Sequence, residues 1–198
     1  MIGMLLLISV ILLVIWYLVA EFLTAKAWVS PRYRYYLNTT SDLGVSDRHT
    51  DSFGLKCFAD RTICSPRYWL INGTFFVLGL AYIFGVGFLV QETPSVLTVI
   101  VGLGMMLLAF FNANNPGHIT PKMVVHWVVG GCALIGGPIN TFLISSALSF
   151  PLGQVLGIIG AVCGVIASCY WLGFTAIPQR IGIYSMLLSI VLIAIHLL

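Results

Sequence analysis

Residues 2–24 read IGMLLLISVILLVIWYLVAEFLT, an apolar run in which Glu21 is the single charged residue. A transmembrane α-helix needs roughly 20 consecutive, mostly apolar residues. A cleaved signal peptide would begin with a basic region and end at a small-residue cleavage site, whereas Met1–Ala20 contains no Lys or Arg. The stretch therefore predicts a first transmembrane helix.

Five further apolar stretches follow, so that the predicted spans are 2–24, 69–90, 94–113, 122–148, 152–176 and 181–198, with a polar loop at 25–68. Only 8% of the 198 residues are charged and 60% are hydrophobic, whereas soluble domains carry about 25% charged residues. Backbone groups in lipid must bond within their own segment, which favours helices, and the alternating pattern of a barrel is absent. The sequence predicts an all-α bundle of six transmembrane helices forming one domain, residues 1–198.

Basic residues are confined to one face of the predicted bundle. All nine lie in or beside the first, third and fifth connections: Lys26, Arg32, Arg34, Arg48, Lys56, Arg61, Arg67, Lys122 and Arg180. The positive-inside rule assigns this face to the cytoplasm. We therefore expect a multi-pass protein of the cell membrane with a cytoplasmic long loop. The small net charge of +3, with acids interleaved, argues against nucleic-acid binding.

Two features of the long loop favour the outside instead. Cys57 and Cys64 are disulfide candidates, and disulfides persist in oxidising compartments. Asn38-Thr39-Thr40 and Asn72-Gly73-Thr74 match the glycosylation sequon. The charge bias decides in favour of the cytoplasm, while the state of the two thiols stays open.

The fourth and fifth predicted spans carry features of helix packing. Pro138 removes a helix hydrogen bond and predicts a kink in the fourth span. The fifth span contains two small-xxx-small pairs, which allow helix backbones to approach closely: Gly153/Gly157 and Gly160/Gly164. This packing is expected either within the bundle or between protomers, as a homo-oligomer or part of a larger membrane complex.

Ionisable residues near spans are costly and indicate function or pairing. Glu21 is expected to snorkel to the interface, with a pairing to Arg180 as the alternative. His126, about one turn into the fourth span, is either a hydrogen-bonded structural side chain or an acid–base group.

Six polar residues far apart in sequence are predicted at one membrane face: Ser41, Asp42, Asn72, Asn112, His126 and Arg180. We expect them to converge under the long loop, with Asp42 paired to Arg180 and His126 as the titratable member. Such a cluster is either a ligand pocket or a structural hydrogen-bond network that fixes the loop to the bundle.

Four short motifs in a fixed order link the chain to a known family. They are Ser41-Asp42-Leu43-Gly44, Asn72 before Gly79, Pro116 before His126, and Gln179-Arg180 ahead of the last span. In these the chain resembles the domain-of-unknown-function 998 family of prokaryotic polytopic membrane proteins. The resemblance covers essentially the whole chain, although Ser52–Ser65 departs from the family core, and it implies a fold but no activity.

Three functions are compatible with this pattern. The first is binding of a lipid or amphiphile in the polar pocket, with Asn72, Asn112 and Arg180 as ligand-binding residues, because bases at a membrane face suit an anionic lipid headgroup. The second is an intramembrane hydrolase or transferase with Ser41, Asp42 and His126 as the acting groups. The third is a non-catalytic subunit or scaffold.

We expect no metal and no cofactor. A metal held by His126 and Asp42 would need a third ligand, such as His118 or His49. His126 and His196 lie near opposite faces by the span count, which disfavours bis-His haem ligation. Membrane lipids are the expected partners.

Overall fold

The computed structural model describes residues 2–28, 32–45, 49–51, 61–63, 65–90, 95–112, 120–169 and 175–198. Each predicted span contains helix in this structure. The α-helices are α1 (Ile2–Ala27), α2 (Tyr68–Ala81), α3 (Val96–Leu108), α4 (Pro121–Gly131), α5 (Gly137–Ala147), α6 (Pro151–Ser168) and α7 (Ala176–His196). Cys57 and Cys64 lie outside the described residues.

Two of the spans change from α-helical to π-helical geometry along their length. Tyr82–Val90 continues α2 as a first π-helical segment, and Cys132–Gly136 joins α4 to α5 as a second. The second ends just before Pro138, which sits in the first turn of α5, where a missing N–H costs little. Where the sequence predicts a kink, the structure has a wider helical turn, a form known from functional sites.

A two-stranded ladder is the only β-structure among the described residues. Strand β1 (His49–Asp51) pairs antiparallel with β2 (Arg61–Ile63), with Thr50 opposite Thr62. Both strands belong to the polar connection between α1 and α2. The ladder satisfies backbone groups locally, and Ile63 of β2 is buried in the hydrophobic core with residues of the helices.

Five helical segments are long and apolar enough to cross a membrane: Leu7–Ala27, Tyr68–Gly87, Pro121–Ala147, Pro151–Ser168 and Ala176–His196. Helix α3 is apolar but has 13 residues, a rise of about 20 Å against a hydrocarbon thickness of about 30 Å. The prediction of a multi-pass helical membrane protein is confirmed. The count of six spans stays a prediction.

Apolar side chains on the outer face of α1 are exposed, as a lipid-facing helix requires. Leu5, Leu12 and Phe22 are each more than half exposed, while Tyr17 and Ala20 on the inner face are fully buried. A soluble protein rarely exposes such a continuous apolar surface. The inner face of α1 packs against α2 and α7, α2 packs against α3, α3 against α4 and α5, and α5 and α7 flank α6.

Close helix contacts depend on glycine, as two of the crossings show. A Cβ added to Gly79 would overlap the carbonyl of Gly102, so α2 and α3 approach backbone to backbone. A Cβ on Gly164 would overlap the carbonyl of Leu134, the residue four before Pro138, whose ring displaces that carbonyl from the usual helix hydrogen bond.

The four glycines of α6 face the chain's own helices. An added Cβ would meet Ser145 and Phe150 at Gly153, Phe142 at Gly157, Pro138 at Gly160 and Leu134 at Gly164. The small-residue surface is therefore occupied by α5 and the second π-helical segment within the chain. Homo-oligomerisation or membership of a larger complex stays a prediction.

Helix α5 ends in a paired hydrogen-bond cap. Phe150 N donates to Ser145 O at 2.7 Å and Ser149 N donates to Ser146 O at 3.1 Å, which is the Schellman pattern. Ser149 has φ 53°, a left-handed conformation in which glycine is normally favoured.

Replacing Ser149 with glycine should therefore stabilise the protein, by up to about 1 kcal/mol, because the Cβ strain at positive φ is relieved. The measurement is the free energy of unfolding in detergent micelles. The matched control is Ser146→Gly, an exposed position inside α5, where glycine should cost roughly 0.5–1 kcal/mol. Equal effects at the two positions would contradict this assignment of the cap.

Candidate functional site

A polar segment of residues 33–45, here called the strap, lies across one end of the bundle. Its last part is a 3₁₀ turn, Ser41–Gly44. Thr39 N donates to Asp42 Oδ2 at 2.8 Å, and Asp42 N donates to Thr39 Oγ1 at 3.2 Å. This reciprocal pair is a capping box, which shapes the turn locally and places Thr40 and Ser41 over the helices.

Arg180 in the second turn of α7 holds the strap to the bundle. Its Nη1 donates to the carbonyl oxygens of Tyr35 at 2.5 Å and Asn38 at 2.9 Å, and to that of Ala176 at 3.3 Å. Its Nη2 donates to the Tyr33 hydroxyl. The guanidinium also lies over the rings of Tyr33 and Tyr35, at 5.5 and 4.9 Å from the ring centroids, a favourable cation–π geometry.

Glu21 is the counter-ion of Arg180. Its Oε1 lies 2.9 Å from Arg180 Nε, and only 2% of the Glu21 side chain is exposed. The Tyr184 hydroxyl donates to the other carboxylate oxygen at 2.6 Å, and the Thr40 hydroxyl lies 3.3 Å from Oε1. The carboxylate thus has partners on α7 and on the strap, as a buried charge requires.

Two predictions about these charges were wrong. Glu21 does not snorkel to the interface, because Arg180 lies at the same depth and supplies a buried partner. Arg180 does not pair with Asp42, because Asp42 Oδ2 is used by the capping box with Thr39. Helix α7 begins at Ala176, ahead of the predicted start at residue 181, so that Arg180 projects from a helix rather than from a connection.

Tyr33 joins the ion pair to the strap backbone. Its hydroxyl lies within hydrogen-bond distance of the carbonyl oxygens of Asn38, at 3.1 Å, and Thr39, at 2.9 Å. Burial raises the pKa of Tyr33 well above its ordinary value and outweighs the opposing effect of Arg180. Burial also raises the pKa of Tyr35. Both phenols are therefore neutral donors at physiological pH.

The carbonyl oxygen of Gly44 accepts hydrogen bonds from two asparagine side chains. Asn72 Nδ2 in α2 donates to Gly44 O at 3.0 Å, and Asn112 Nδ2, beyond the end of α3, donates to it at 3.3 Å. A Cβ on Gly44 would overlap the Asn72 amide, which explains glycine at this position. Asn38 and Asn72 are at least 92% buried, so the two sequons do not present free acceptor amides in this structure.

His126 in α4 is held by the end of the α3 segment. Its Nδ1 lies 2.6 Å from Phe111 O. A carbonyl oxygen only accepts, so Nδ1 carries the proton and Nε2 is the acceptor nitrogen of the neutral ring. The side chain is 6% exposed.

A cavity of about 640 Å³ opens beneath the strap. Its polar lining comes from the strap, α4, α6, α7 and the inner face of α1: Tyr17, Thr40, Ser41, His126, Trp127, Ser168 and Gln179. The rest of the lining is apolar or glycine, with Phe75, Leu78, Met105, Leu108 and Met186 among its larger members. The cavity is therefore polar at the strap and apolar toward the centre of the bundle.

Gln179 connects the strap directly to this cavity. Thr40 N donates to Gln179 Oε1 at 2.7 Å, and Gln179 Nε2 donates to Ser41 Oγ at 2.9 Å. Both side chains of the Gln179-Arg180 motif thus bind the strap. Gln179 does so at the cavity, and Arg180 does so at its ion pair with Glu21.

The structure brings the six predicted polar residues to the same end of the bundle, but only Ser41 and His126 line the cavity. Asp42, Asn72, Asn112 and Arg180 instead hold the strap in place. Sequence reasoning did not select Tyr17, Thr40, Trp127 or Gln179 as site residues. Of these four, only Gln179 could have been identified from the sequence, because it belongs to the Gln-Arg motif. His118 and the side chain of His49 lie outside the described residues.

Comparison with known proteins gives one match. A family model described as a protein of unknown function, DUF998, matches residues 10–196. No curated protein and no solved structure shows significant similarity to the chain.

Replacing Arg180 with alanine should lower the free energy of unfolding in micelles by roughly 3–5 kcal/mol, because Glu21 is then buried without a counter-ion. Lys122→Ala, which removes an exposed cation at the same end of the bundle, is the control and should change it by less than about 0.5 kcal/mol. The double variant Glu21→Ala with Arg180→Ala should lose less than the sum of the single variants. Additive losses would show that the two side chains do not act as a pair.

Proposed function

Because the chain belongs to the DUF998 family, whose description assigns no activity, we propose from the geometry of the site that this membrane protein binds a lipid or other amphiphile in the cavity under the strap. The observation that carries the proposal is the distribution of polarity along one cavity. Hydrogen-bonding groups lie at the strap end, and the remainder is lined by apolar side chains and glycines.

The size of the cavity supports this proposal. Ligand pockets usually measure roughly 300–1,000 Å³, and this one measures about 640 Å³. It lies between helices of a membrane bundle, where apolar molecules are the surrounding solvent. An empty apolar volume of this size would forfeit packing contacts that a bound chain supplies.

The wall of the cavity is irregular helix, as in other membrane proteins whose broken helices line binding sites. Ala133 and Leu134 of the second π-helical segment belong to the lining, as do Gly130 and Gly131 just before it. Small residues and a widened turn on one wall leave room that a regular, leucine-rich helix would fill.

The placement in the membrane is part of the proposal. We propose six spans, with α3 crossing despite its length because Ala109 and Phe110 continue its last turn. The strap end faces the cytoplasm, on the strength of the positive-inside rule. The polar headgroup of the ligand then lies at the cytoplasmic face.

A second candidate function is hydrolysis or transfer of an acyl group. The observation that favours it is that Ser41 and His126 line the same cavity. The bond of Nδ1 to Phe111 O leaves Nε2 as the acceptor nitrogen when the ring is neutral. In this reaction Ser41 Oγ attacks the acyl carbonyl, His126 takes the serine proton and passes it to the leaving alcohol, and water or an acceptor alcohol releases the acyl group. Asp42 does not orient His126, because Phe111 O holds Nδ1.

The third function, a non-catalytic subunit or scaffold of a membrane complex, stays a prediction. The glycines of α6 that suggested a helix–helix interface pack within the chain. A contact with another protein would therefore use other residues.

Filling the cavity should abolish ligand binding without unfolding the protein. Gly131 lines the cavity, and a Cβ there meets no atom within 4 Å, so Gly131→Leu places a side chain in the proposed site at little steric cost. Gly73→Leu is the matched control, since Gly73 is an exposed helical glycine with the same open surroundings. Labelling by a photoactivatable palmitoyl amphiphile in native membranes should fall about tenfold in Gly131→Leu only. Equal labelling of both variants would exclude the cavity as the binding site.

Hydrolysis is tested separately with a chromogenic palmitoyl ester. Ser41→Ala removes the nucleophile, and His126→Asn keeps a donor for Phe111 O while removing the ring Nε2. If the second candidate is correct, the purified protein releases the chromophore and both variants lose roughly a hundredfold or more of that rate. No release by the wild-type protein, or release that survives both substitutions, would rule out this reaction.

A further inference from the structure

A second cavity of about 240 Å³ lies deeper in the bundle. It is lined by α1, α2, the first π-helical segment, α3 and α7: Ser9, Val10, Leu13, Val14, Leu78, Ala81, Tyr82, Gly85, Val86, Met105, Met186, Leu187, Ile190 and Ala194. Nearly all of these are apolar, and none carries a formal charge. The second cavity therefore has the composition of an acyl-chain site.

The two cavities share part of their walls. Leu78, Met105 and Met186 line both. The division between them thus consists of side chains, two of them methionines, whose unbranched chains rearrange more easily than other core residues. On α1 the same inward face continues from one cavity to the other, with Val10 and Leu13 at the second and Tyr17 at the first.

The combined length exceeds one leaflet. Along α7 the lining runs from Gln179 at the strap to Ala194, a rise of roughly 22 Å. Half of a bilayer's hydrocarbon region is about 15 Å. A chain that followed both cavities would therefore pass the membrane midplane.

The polar end offers hydrogen bonds but no charge. No Asp, Glu, Lys or Arg is among the described residues that line the first cavity. Arg180 is 93% buried and already donates to Glu21, to carbonyl oxygens and to Tyr33, so it is not available to an anionic headgroup. This departs from the anionic headgroup that the basic residues of the sequence suggested.

One hydroxyl at the polar end is incompletely satisfied. The Tyr17 hydroxyl is fully buried and faces the Thr40 side chain, but it makes no hydrogen bond of ordinary distance and angle among the described residues. Buried polar groups normally have partners, and an exception indicates a missing ligand or water. Tyr17 lines the first cavity, where a ligand hydroxyl or carbonyl would satisfy it.

We propose, on the premise that the cavity binds an amphiphile, that the ligand is a single-chain lipid with an uncharged, hydrogen-bonding headgroup, such as a long-chain alcohol or a monoacylglycerol. The headgroup lies among Tyr17, Ser41 and His126. The chain passes Met105 and Met186 into the second cavity. A volume of about 240 Å³ is below the roughly 300 Å³ at which compact ligand sites begin, and it suits one unbranched chain rather than two.

Photoactivatable probes with matched palmitoyl tails test the headgroup. One carries a neutral glycerol headgroup and the other the same glycerol bearing a phosphate, and both carry the diazirine at the end of the tail. The wild-type protein in nanodiscs should be labelled about tenfold more strongly by the neutral probe. Equal or stronger labelling by the phosphate probe would overturn the assignment of an uncharged headgroup.

The position of the label tests the path of the chain. Mass spectrometry should place the crosslink on the second-cavity parts of α1 or α7, near Leu13 or Ile190. A crosslink confined to residues that line only the first cavity, such as Trp127 or Ile183, would overturn the path.

A cavity-filling variant tests the second cavity independently. Gly85 lines it, and a Cβ there meets no atom within 4 Å. Gly85→Leu should reduce labelling by the neutral palmitoyl probe about tenfold while leaving a neutral decanoyl probe, too short to enter, unchanged. Gly73→Leu is again the control and should change neither.

The outcomes separate this inference from the function on which it rests. If Gly131→Leu abolishes labelling but Gly85→Leu has no effect on either probe, the first cavity binds the amphiphile and the extension into the second is wrong. If no probe labels the wild-type protein above the level of Gly131→Leu, the proposed function itself fails.

Discussion

The guanidinium of Arg180 lies inside the helical bundle, and an ion in that environment is tolerated only when its charge and each of its donors are satisfied. Glu21 supplies the charge from α1, and strap carbonyls supply the remaining acceptors. Removing either Glu21 or Arg180 would leave the charge of the other unpaired in an apolar interior. Arg180 therefore holds α1, α7 and the strap together. The strap that covers the cavity and two of the helices that form its wall depend on this one side chain.

The sequence predicted the membrane bundle because the bilayer sets the length of each apolar run. That length does not depend on how the helices pack against one another. It also predicted that polar residues would meet at one end of the bundle, since alternate connections between spans lie at the same face of the membrane. The family resemblance, carried by short motifs, is confirmed over residues 10–196. These predictions share a property: they depend on position along the chain and not on which side chain touches which.

Which polar side chains pair with each other could not be predicted from the sequence in the same way. Asp42 and Glu21 were both candidates for Arg180, and the choice depends on depth and on the competing capping box with Thr39. Asn140 shows the same limit, since its side chain donates to Tyr82 and Thr98 on neighbouring elements, which no local sequence pattern identifies. Tyr17 looked like one more aromatic residue in an apolar run. Its place in the cavity wall follows from the rotation of α1, which an evenly apolar helix does not reveal.

The two π-helical segments have a consequence for how this family can change over evolutionary time. A π-helical turn holds one residue more than the α-helical turn that it replaces. Loss of a single residue from Cys132–Gly136 would therefore restore a regular α-helical turn and leave the direction of α5 nearly unchanged, so that Pro138 and Asn140 keep their neighbours. Homologous chains can therefore lose one residue within such a segment and keep the same helix packing, whereas a deletion from a regular α-helix rotates everything beyond it by about 100°.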